Sequence, residues 1–434
     1  MMKSWRVQPV REVDGSVLVP GDKSISHRSV MLGGIAEGRT EVTGFLDGAD
    51  CLATLEAFRA MGVQVDRHSD TALTVHGRGL HGLAAPAGVL DMGNAGTAIR
   101  LSMGLLAGQR FSSTLTGDAS LRSRPMERVA APLRQMGAQI ETTAGKPPVT
   151  LRRATRLTGI DYALPMASAQ VKSAILLAGL YAEGRTSVTE PAPTRDHTER
   201  MLRGFGLEVE TAGPRASLAG GQKLSGARIA VPGDISSAAF FLVAGCIAGR
   251  DGFVVENVGI NPTRTGILDV LKLMGADLRV HPRATRGGEP VADIEVRRST
   301  LRGIAVPEQF VPLAIDELPV LFIAAAAAEG ETVFTGAAEL RVKESDRLAV
   351  MAEGLTSTGV PNELLPDGIR ISGGQRLRSA EIHSHGDHRI AMSFAVASLI
   401  ADGELTIRDV ANVATSFPGF TAIANACGLS VVDA

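Results

Sequence analysis

One pattern recurs six times along this chain and limits what it can fold into. A polar residue able to cap a helix precedes an apolar, Ala/Gly-rich segment, then come a Gly turn, a strand-like run, a second helix and a closing Gly. The Gly turns fall at Gly38, Gly108, Gly184, Gly249, Gly330 and Gly403, and the closing glycines at Gly62, Gly137, Gly206, Gly275, Gly359 and Gly428. Spacing this regular is the mark of one supersecondary unit copied six times, as in solenoids, propellers and symmetric barrels.

Each unit opens on a candidate N-cap: Asp22, Asn94, Ser168, Asp234, Asp316 and Asp387. The first helices, such as Val30–Ile35, Ala174–Leu180 and Ala238–Gly245, are apolar nearly all round, which predicts burial on every side. The second helices, such as Thr54–Met61 and Ile267–Met274, are more amphipathic. Strand signals at Thr186–Thr189 and Phe253–Glu256 flank them. Helices inside and sheets outside are expected, the inverse of a common α/β barrel.

Val-Pro-Gly-Asp occurs at Val19–Asp22 and again at Val231–Asp234. Two such junctions bracketing three units predict two domains, 20–231 and 1–19 plus 232–434, hinged near 19–22 and 231–234. Unit starts facing a shared cleft would gather helix N-termini there and favour an anion.

Composition excludes several classes. With 44 basic and 46 acidic residues the chain has no bulk field to draw nucleic acid or a membrane surface, and an aromatic content of 4% argues against base-stacking platforms. The longest apolar runs, Leu318–Ala328 and Ala238–Ala248, are too short to span a bilayer. Cys51, Cys246 and Cys427 lie far apart in apolar surroundings, as buried thiols of a reducing, cytoplasmic compartment do.

Chemistry concentrates at the unit starts. Gly21-Asp22-Lys23-Ser24 mimics the end of a phosphate-binding P-loop, but its spacing from Gly15 and the intervening Asp22 break that pattern. Lys23, Ser24 and Arg28 at a helix start are better read as a local anion site, because cations normally favour the other end of a helix. His383, His385 and His388 lack a second carboxylate and stand beside Arg389, so no metal is expected. The charged run Glu339–Arg347 reads either as a solvated helix face or, from its place in the repeat, as a functional loop. The cationic set is Lys23, Arg28, Arg124, Arg195, Lys343, Arg347 and Arg389, suited to phosphates and carboxylates. Among these cations stand Asp316 and Glu344, two acids able to move protons.

These residues resemble the enolpyruvyl transferases over essentially the whole chain. The resemblance is carried by Gly21-Asp-Lys-Ser-Ile-Ser-His-Arg28, Gly93-Asn-Ala-Gly-Thr-Ala-Ile-Arg100, Leu115-Thr-Gly117 with Arg124-Pro125, Ser168-Ala-Gln-Val-Lys172, Arg341-Val-Lys-Glu-Ser-Asp-Arg347 and Asp387-His-Arg389. It implies a two-domain inside-out α/β barrel of six βαβαββ repeats, three per domain. The implied reaction moves the enolpyruvyl group of phosphoenolpyruvate to the 5-hydroxyl of shikimate 3-phosphate, in a monomer that needs neither metal nor organic cofactor.

By matching motif positions, the resemblance implies that Lys23, Ser24, Arg28, Ser168, Ala169, Gln170, Arg195, Asp316 and Lys343 hold shikimate 3-phosphate. It gives Lys23, Asn94, Gly96, Thr97, Arg124, Gln170, Glu344, Arg347 and Arg389 to phosphoenolpyruvate, with Asp316, Glu344 and Lys23 carrying the proton transfers. Departures from the more familiar pattern are Ala169 for Ser, Leu101 for Pro, Glu339 for Asn and Thr415 for Lys. Gly-Asp-Lys-Ser, Ser-Ala-Gln-Val-Lys, Arg195-Asp-His-Thr-Glu199 and Asn261-Pro-Thr-Arg264 resemble the second class, whose members tolerate glyphosate, whereas Gly96 leaves room for that inhibitor. A relative acting on UDP-N-acetylglucosamine in cell-wall synthesis is the nearest rival, but the reactive Cys it carries is missing from Leu121–Pro125. A non-catalytic repeat scaffold would explain the copying but not the gathered charges.

Overall fold

The computed structural model describes residues 3–153, 155–286 and 288–434. By their internal contacts these form two compact units. One is Gly21–Val231 with Arg286–Glu289, and the other comprises the chain up to Pro20, Pro232–Thr285 and Pro290–Ala434. Each has its own hydrophobic core.

The Gly21–Val231 unit carries three four-stranded sheets of one design. In the sheet built from Leu90–Asp91, Ser113–Thr116, Lys146–Leu151 and Ile140–Thr143, the first pair is parallel and the others antiparallel. The parallel pair is bridged by the helix Gly96–Leu106, as a crossover requires. Asp161–Ala163, Arg185–Thr189, Arg215–Ala219 and Glu210–Ala212 repeat the arrangement around the helix Ala169–Gly179. In the remaining sheet the parallel partner of Arg39–Thr43 is Arg228–Ala230, from the far end of the unit, so the three repeats close on themselves.

The second unit repeats this plan with two substitutions. Ser16–Leu18 supplies the parallel strand beside Phe253–Gly259. Ser4–Val7 lies between Leu405–Arg408 and Val431–Asp433. In the middle repeat only isolated bridges, Arg302 to Glu329 and Ala305 to Val333, stand where the parallel strand would be, leaving three strands.

The apolar helices are the buried ones. Ile235–Ala248, Leu318–Ala327 and His388–Ala397 pack on one another in the second unit, with Phe241 against Phe253, Phe417 and Phe420. In the first unit the helices starting at Gly96 and Ala169 come so close that a Cβ on Gly104 would lie 2.1 Å from the Ala174 carbonyl oxygen, a contact only glycine permits. The six amphipathic helices share one ending. Each closing glycine follows the last helical residue by two positions and takes a φ between 84° and 102°, the left-handed cap that glycine adopts without strain. The turn glycines are less uniform: Gly38, Gly184 and Gly330 have positive φ, whereas Gly108, Gly249 and Gly403 do not.

Four of the six expected N-caps are caps. The side chains of Asp22, Ser168, Asp234 and Asp387 accept hydrogen bonds from Ile25, Val171, Ser236 and Arg389 backbone N–H groups. Asn94 and Asp316 are not caps. Ala95 and Glu317 occupy those positions, and the side chains of Asn94 and Asp316 turn to arginines and lysine instead.

Candidate active site

In the Gly21–Val231 unit the expected residues gather at the starts of the buried helices. Lys23 opens its helix and pairs with Asp50, a buried carboxylate in the first turn of the following helix. Arg28, one turn on, is buried. Its Nε donates to Thr198 Oγ1 at 2.7 Å and its Nη2 to Ser173 Oγ at 3.0 Å, while Nη1 reaches the Ser24 carbonyl at 2.9 Å. Burial lowers its pKa to about 10, opposed chiefly by Glu199 and Asp22, so it remains a cation at neutral pH. An anion laid against it would recover part of that desolvation cost.

A second chain of contacts runs through the next two repeats. Arg100 Nη1 donates to Gln170 Oε1 at 2.7 Å, and Gln170 Nε2 donates to Thr97 Oγ1 at 3.0 Å. Arg124 Nη2 donates to Asn94 Oδ1 at 2.6 Å, and Asn94 donates in turn to Asp118. Gly96 lies between the two guanidinium groups: a Cβ there would be 3.1 Å from Nη1 of both Arg100 and Arg124. Arg100 was legible as the end of the motif Gly93–Arg100, but with no role attached to it. Its grip on Gln170 depends on residues 70 positions apart.

We expect Gly96→Ala to raise the KM of the smaller anionic substrate about 10-fold while changing kcat less, because one crowding methyl costs roughly 1–3 kcal/mol of discrimination. Steady-state titration of each substrate checks this. An unchanged KM would show that both arginines yield without consequence.

Lys172 is buried. Its Nζ lies 2.8 Å from both Glu190 and Glu199, and although burial pulls its pKa down, the two carboxylates outweigh it and the net shift is upward. Glu199 is the third of three successive residues that tie down one helix start. His197 meets Glu289 and Thr198 receives Arg28. Arg195, two residues before, is half-buried. Lys172→Met should destabilise the protein by about 3–5 kcal/mol, since it removes the cation between two buried carboxylates. A raised pKa in the folded state means that the Lys172 contribution is complete below its ordinary value of 10.5 and fades as pH climbs through the raised one. Denaturant melts of both proteins across alkaline pH test both statements: equal stability refutes the first, and identical alkaline slopes the second.

In the other unit one arginine organises the site. Arg347 has 1% of its side chain exposed, and three carboxylates surround it: Asp387 at 2.8 Å from Nε, Glu344 at 2.6 Å from Nη2 and Asp316 at 3.3 Å from Nη1. Burial opposes its charge, but these acids raise its pKa above the ordinary value. Lys343 Nζ stands 3.4 Å from the same Asp316 oxygen, and Arg389 Nη1 donates to the Asp316 carbonyl at 2.9 Å. Three cations therefore balance three acids. Asp387, besides capping its helix, anchors Arg347 and accepts from Ser345.

The charged run is not a solvated helix face. Ala338–Val342 is a 3₁₀ turn, and the helix proper begins at Arg347 behind the cap Asp346. Arg341 bonds Asp346 and the Pro366 and Leu365 carbonyls, holding the loop. Glu339 lies 4.0 Å from Lys343. Thr415 ends a 3₁₀ turn with its hydroxyl on the Asn412 carbonyl. Of the histidines, His383 and His385 are exposed, next to Glu381 and Glu353, and His388 is buried. Among the described residues no group of three or more His, Cys, Asp or Glu is placed to hold a metal ion.

Residues 7–423 match the family model of EPSP synthase (3-phosphoshikimate 1-carboxyvinyltransferase). The chain belongs to the EPSP synthase family. It is 60% identical over 428 residues to the 3-phosphoshikimate 1-carboxyvinyltransferase of Alkalilimnicola ehrlichii, covering 98% of this chain and 96% of that protein. It is 59% identical to the enzyme of that name from Methylococcus capsulatus, covering 98% and 97%. The solved EPSP synthase of Acinetobacter baumannii shares 57% identity and a TM-score of 0.90 over the whole of both chains. The fold is accordingly the two-domain α/β fold of this family, and the chain is an enzyme of carboxyvinyl transfer.

Proposed function

We propose that this EPSP synthase family member joins the enolpyruvyl group of phosphoenolpyruvate to the 5-hydroxyl of shikimate 3-phosphate and releases phosphate. The observation that carries the residue assignments is the Arg347 cluster. Two partly exposed acids, Asp316 and Glu344, are held by one buried guanidinium, which fixes their spacing.

Addition comes first. Glu344 gives a proton to the methylene carbon of phosphoenolpyruvate, the adjacent carbon becomes cationic, and the 5-hydroxyl attacks it as Asp316 takes the hydroxyl proton. The product is a tetrahedral intermediate bearing both phosphate and the shikimate oxygen. Elimination reverses the sense: the Glu344 carboxylate takes a proton back from the methyl carbon, the C–O bond to phosphate breaks, Lys23 supplies a proton to the departing phosphate, and the proton taken by Asp316 returns to Lys23 through solvent. Arginines that bind the phosphate and carboxylate stabilise the charge shifts without moving.

The arrangement in each unit supports this division of ligands. Arg28 with Ser24, Ser168, Ala169, Gln170 and Arg195, and Lys343 with Asp316, take shikimate 3-phosphate. Arg124 with Asn94, Gly96 and Thr97 takes phosphoenolpyruvate, as do Arg347 and Arg389 beside Glu344, with Lys23 and Gln170 serving both substrates. No metal or organic cofactor enters these steps. The three buried cysteines, far apart in the sequence, support a reducing, cytoplasmic setting, and the enzyme acts in this scheme as a monomer. Among the described residues no helix is long and apolar enough to cross a membrane. A single-turnover experiment with both substrates tests the scheme. Phosphate release must require shikimate 3-phosphate, and release with phosphoenolpyruvate alone at the same rate would exclude it.

A further inference from the structure

The fourth repeat supplies none of the proposed substrate-binding residues, yet its Arg264 reaches the acid of the neighbouring repeat through one buried intermediary. Arg264 follows the strand Phe253–Gly259 in a loop locked by Asn261, whose side chain accepts from both the backbone N–H and the hydroxyl of Thr263. The Arg264 guanidinium is buried. Its Nη2 lies 2.6 Å from Ser236 Oγ, 3.4 Å from Asp234 and 3.5 Å from Glu317 Oε1. Ser236 also donates directly to Glu317.

Glu317 is 1% exposed. A carboxylate so deep needs a countercharge, and Arg264 supplies one. The residue before it is Asp316. Across a single peptide, one side chain is clamped in the buried Arg264 pocket and the other is presented to Lys343 and Arg347, while the Asp316 carbonyl is held by Arg389. Asp316 stands one residue before the cap position, which Glu317 occupies, so the Glu317 clamp acts on the peptide that carries Asp316 from the other side.

We infer that Arg264, acting through Glu317, is a positioning residue for Asp316. This rests on Asp316 being the group that takes the hydroxyl proton. Removing the clamp leaves both substrates' phosphate-binding residues in place and lets the 316–317 peptide rotate, so the cost falls on turnover rather than on binding. Misplacing a reacting group by about 1 Å costs on the order of 100-fold.

The test is a cycle of four full-length proteins: the natural chain, Arg264→Met, Asp316→Asn and the double variant, each with kcat, both KM values and the pH profile of kcat. Arg264→Met should lose roughly 10- to 100-fold in kcat with KM values within about threefold, and should shift the acidic limb of the profile. On the Asp316→Asn background the same substitution should cost less than about threefold, because the group it positions is gone. Arg264→Lys should recover most of the loss.

An equal loss on both backgrounds, or a KM effect with kcat intact, overturns the inference. If Asp316→Asn is itself fully active, the assignment of Asp316 fails instead. Should Arg264→Met not fold, Glu317→Gln, which keeps the shape and the contact with Ser236, takes its place in the cycle. A loss confined to the natural background then supports the inference, and an equal loss on both backgrounds overturns it.

Discussion

Arg347→Met is expected to lose turnover almost entirely and stability as well. Three acids, Asp316, Glu344 and Asp387, lean on this one buried guanidinium, and all three lose it together. Breaking a buried ion pair by removing one member costs about 3–5 kcal/mol, and this pairing has three carboxylates rather than one. Loss of an arginine facing developing charge adds on the order of 100- to 1000-fold in kcat. Protein that unfolds at the usual denaturant concentration, or that retains more than a tenth of its kcat, would refute this account. Arg347→Lys separates the two contributions. It restores charge without the fork that meets three partners, so stability should recover further than activity.

Glu344→Gln should leave the fold intact and remove the acid. The amide can still accept from Arg347, and the side chain is partly exposed, so little stability is at stake. We expect kcat to fall by roughly 100- to 10,000-fold, the range for losing a positioned general acid, with the KM of phosphoenolpyruvate changed only a few-fold. Rapid-quench experiments in deuterated water identify the step, since less deuterium should enter the methyl group of the tetrahedral intermediate per unit time. Undiminished incorporation would move the carbon acid elsewhere.

Both predictions concern residues that the chain advertised by position and not by type. Glu344 and Arg347 sit in a run that is ordinarily a solvated helix face, and the repeat register together with the family motif Arg341–Arg347 suggested a functional loop. The repeat also marked its own exceptions. Asn94 and Asp316 stand one residue before the actual caps, and each points its side chain at cations, whereas their four counterparts bond backbone N–H groups. Where one copy abandons the structural job that its siblings keep, another job has displaced it.

Other partners were not legible in the chain. Asp50 gives no sign of pairing with Lys23, nor Asp387 of lying against Arg347 across 40 residues. Arg100 and Gln170 belong to different repeats, as do Arg264 and Glu317. Such pairs depend on which repeats become neighbours, and side-chain identity does not encode that.

What the sequence determined alone is local: six repeats, buried helices with their caps, left-handed glycines that stop the second helices, and the family motifs. These follow from hydrophobic period, side-chain hydrogen bonding to the adjacent backbone and the φ that glycine permits, all of which act within a few residues. Tertiary structure decided which charge neutralises which. Strand pairing brings Arg228–Ala230 back to Arg39–Thr43 and Ser4–Val7 to Leu405–Arg408, and packing then drives cations from one repeat against acids from another in surroundings too dry for either to stand alone.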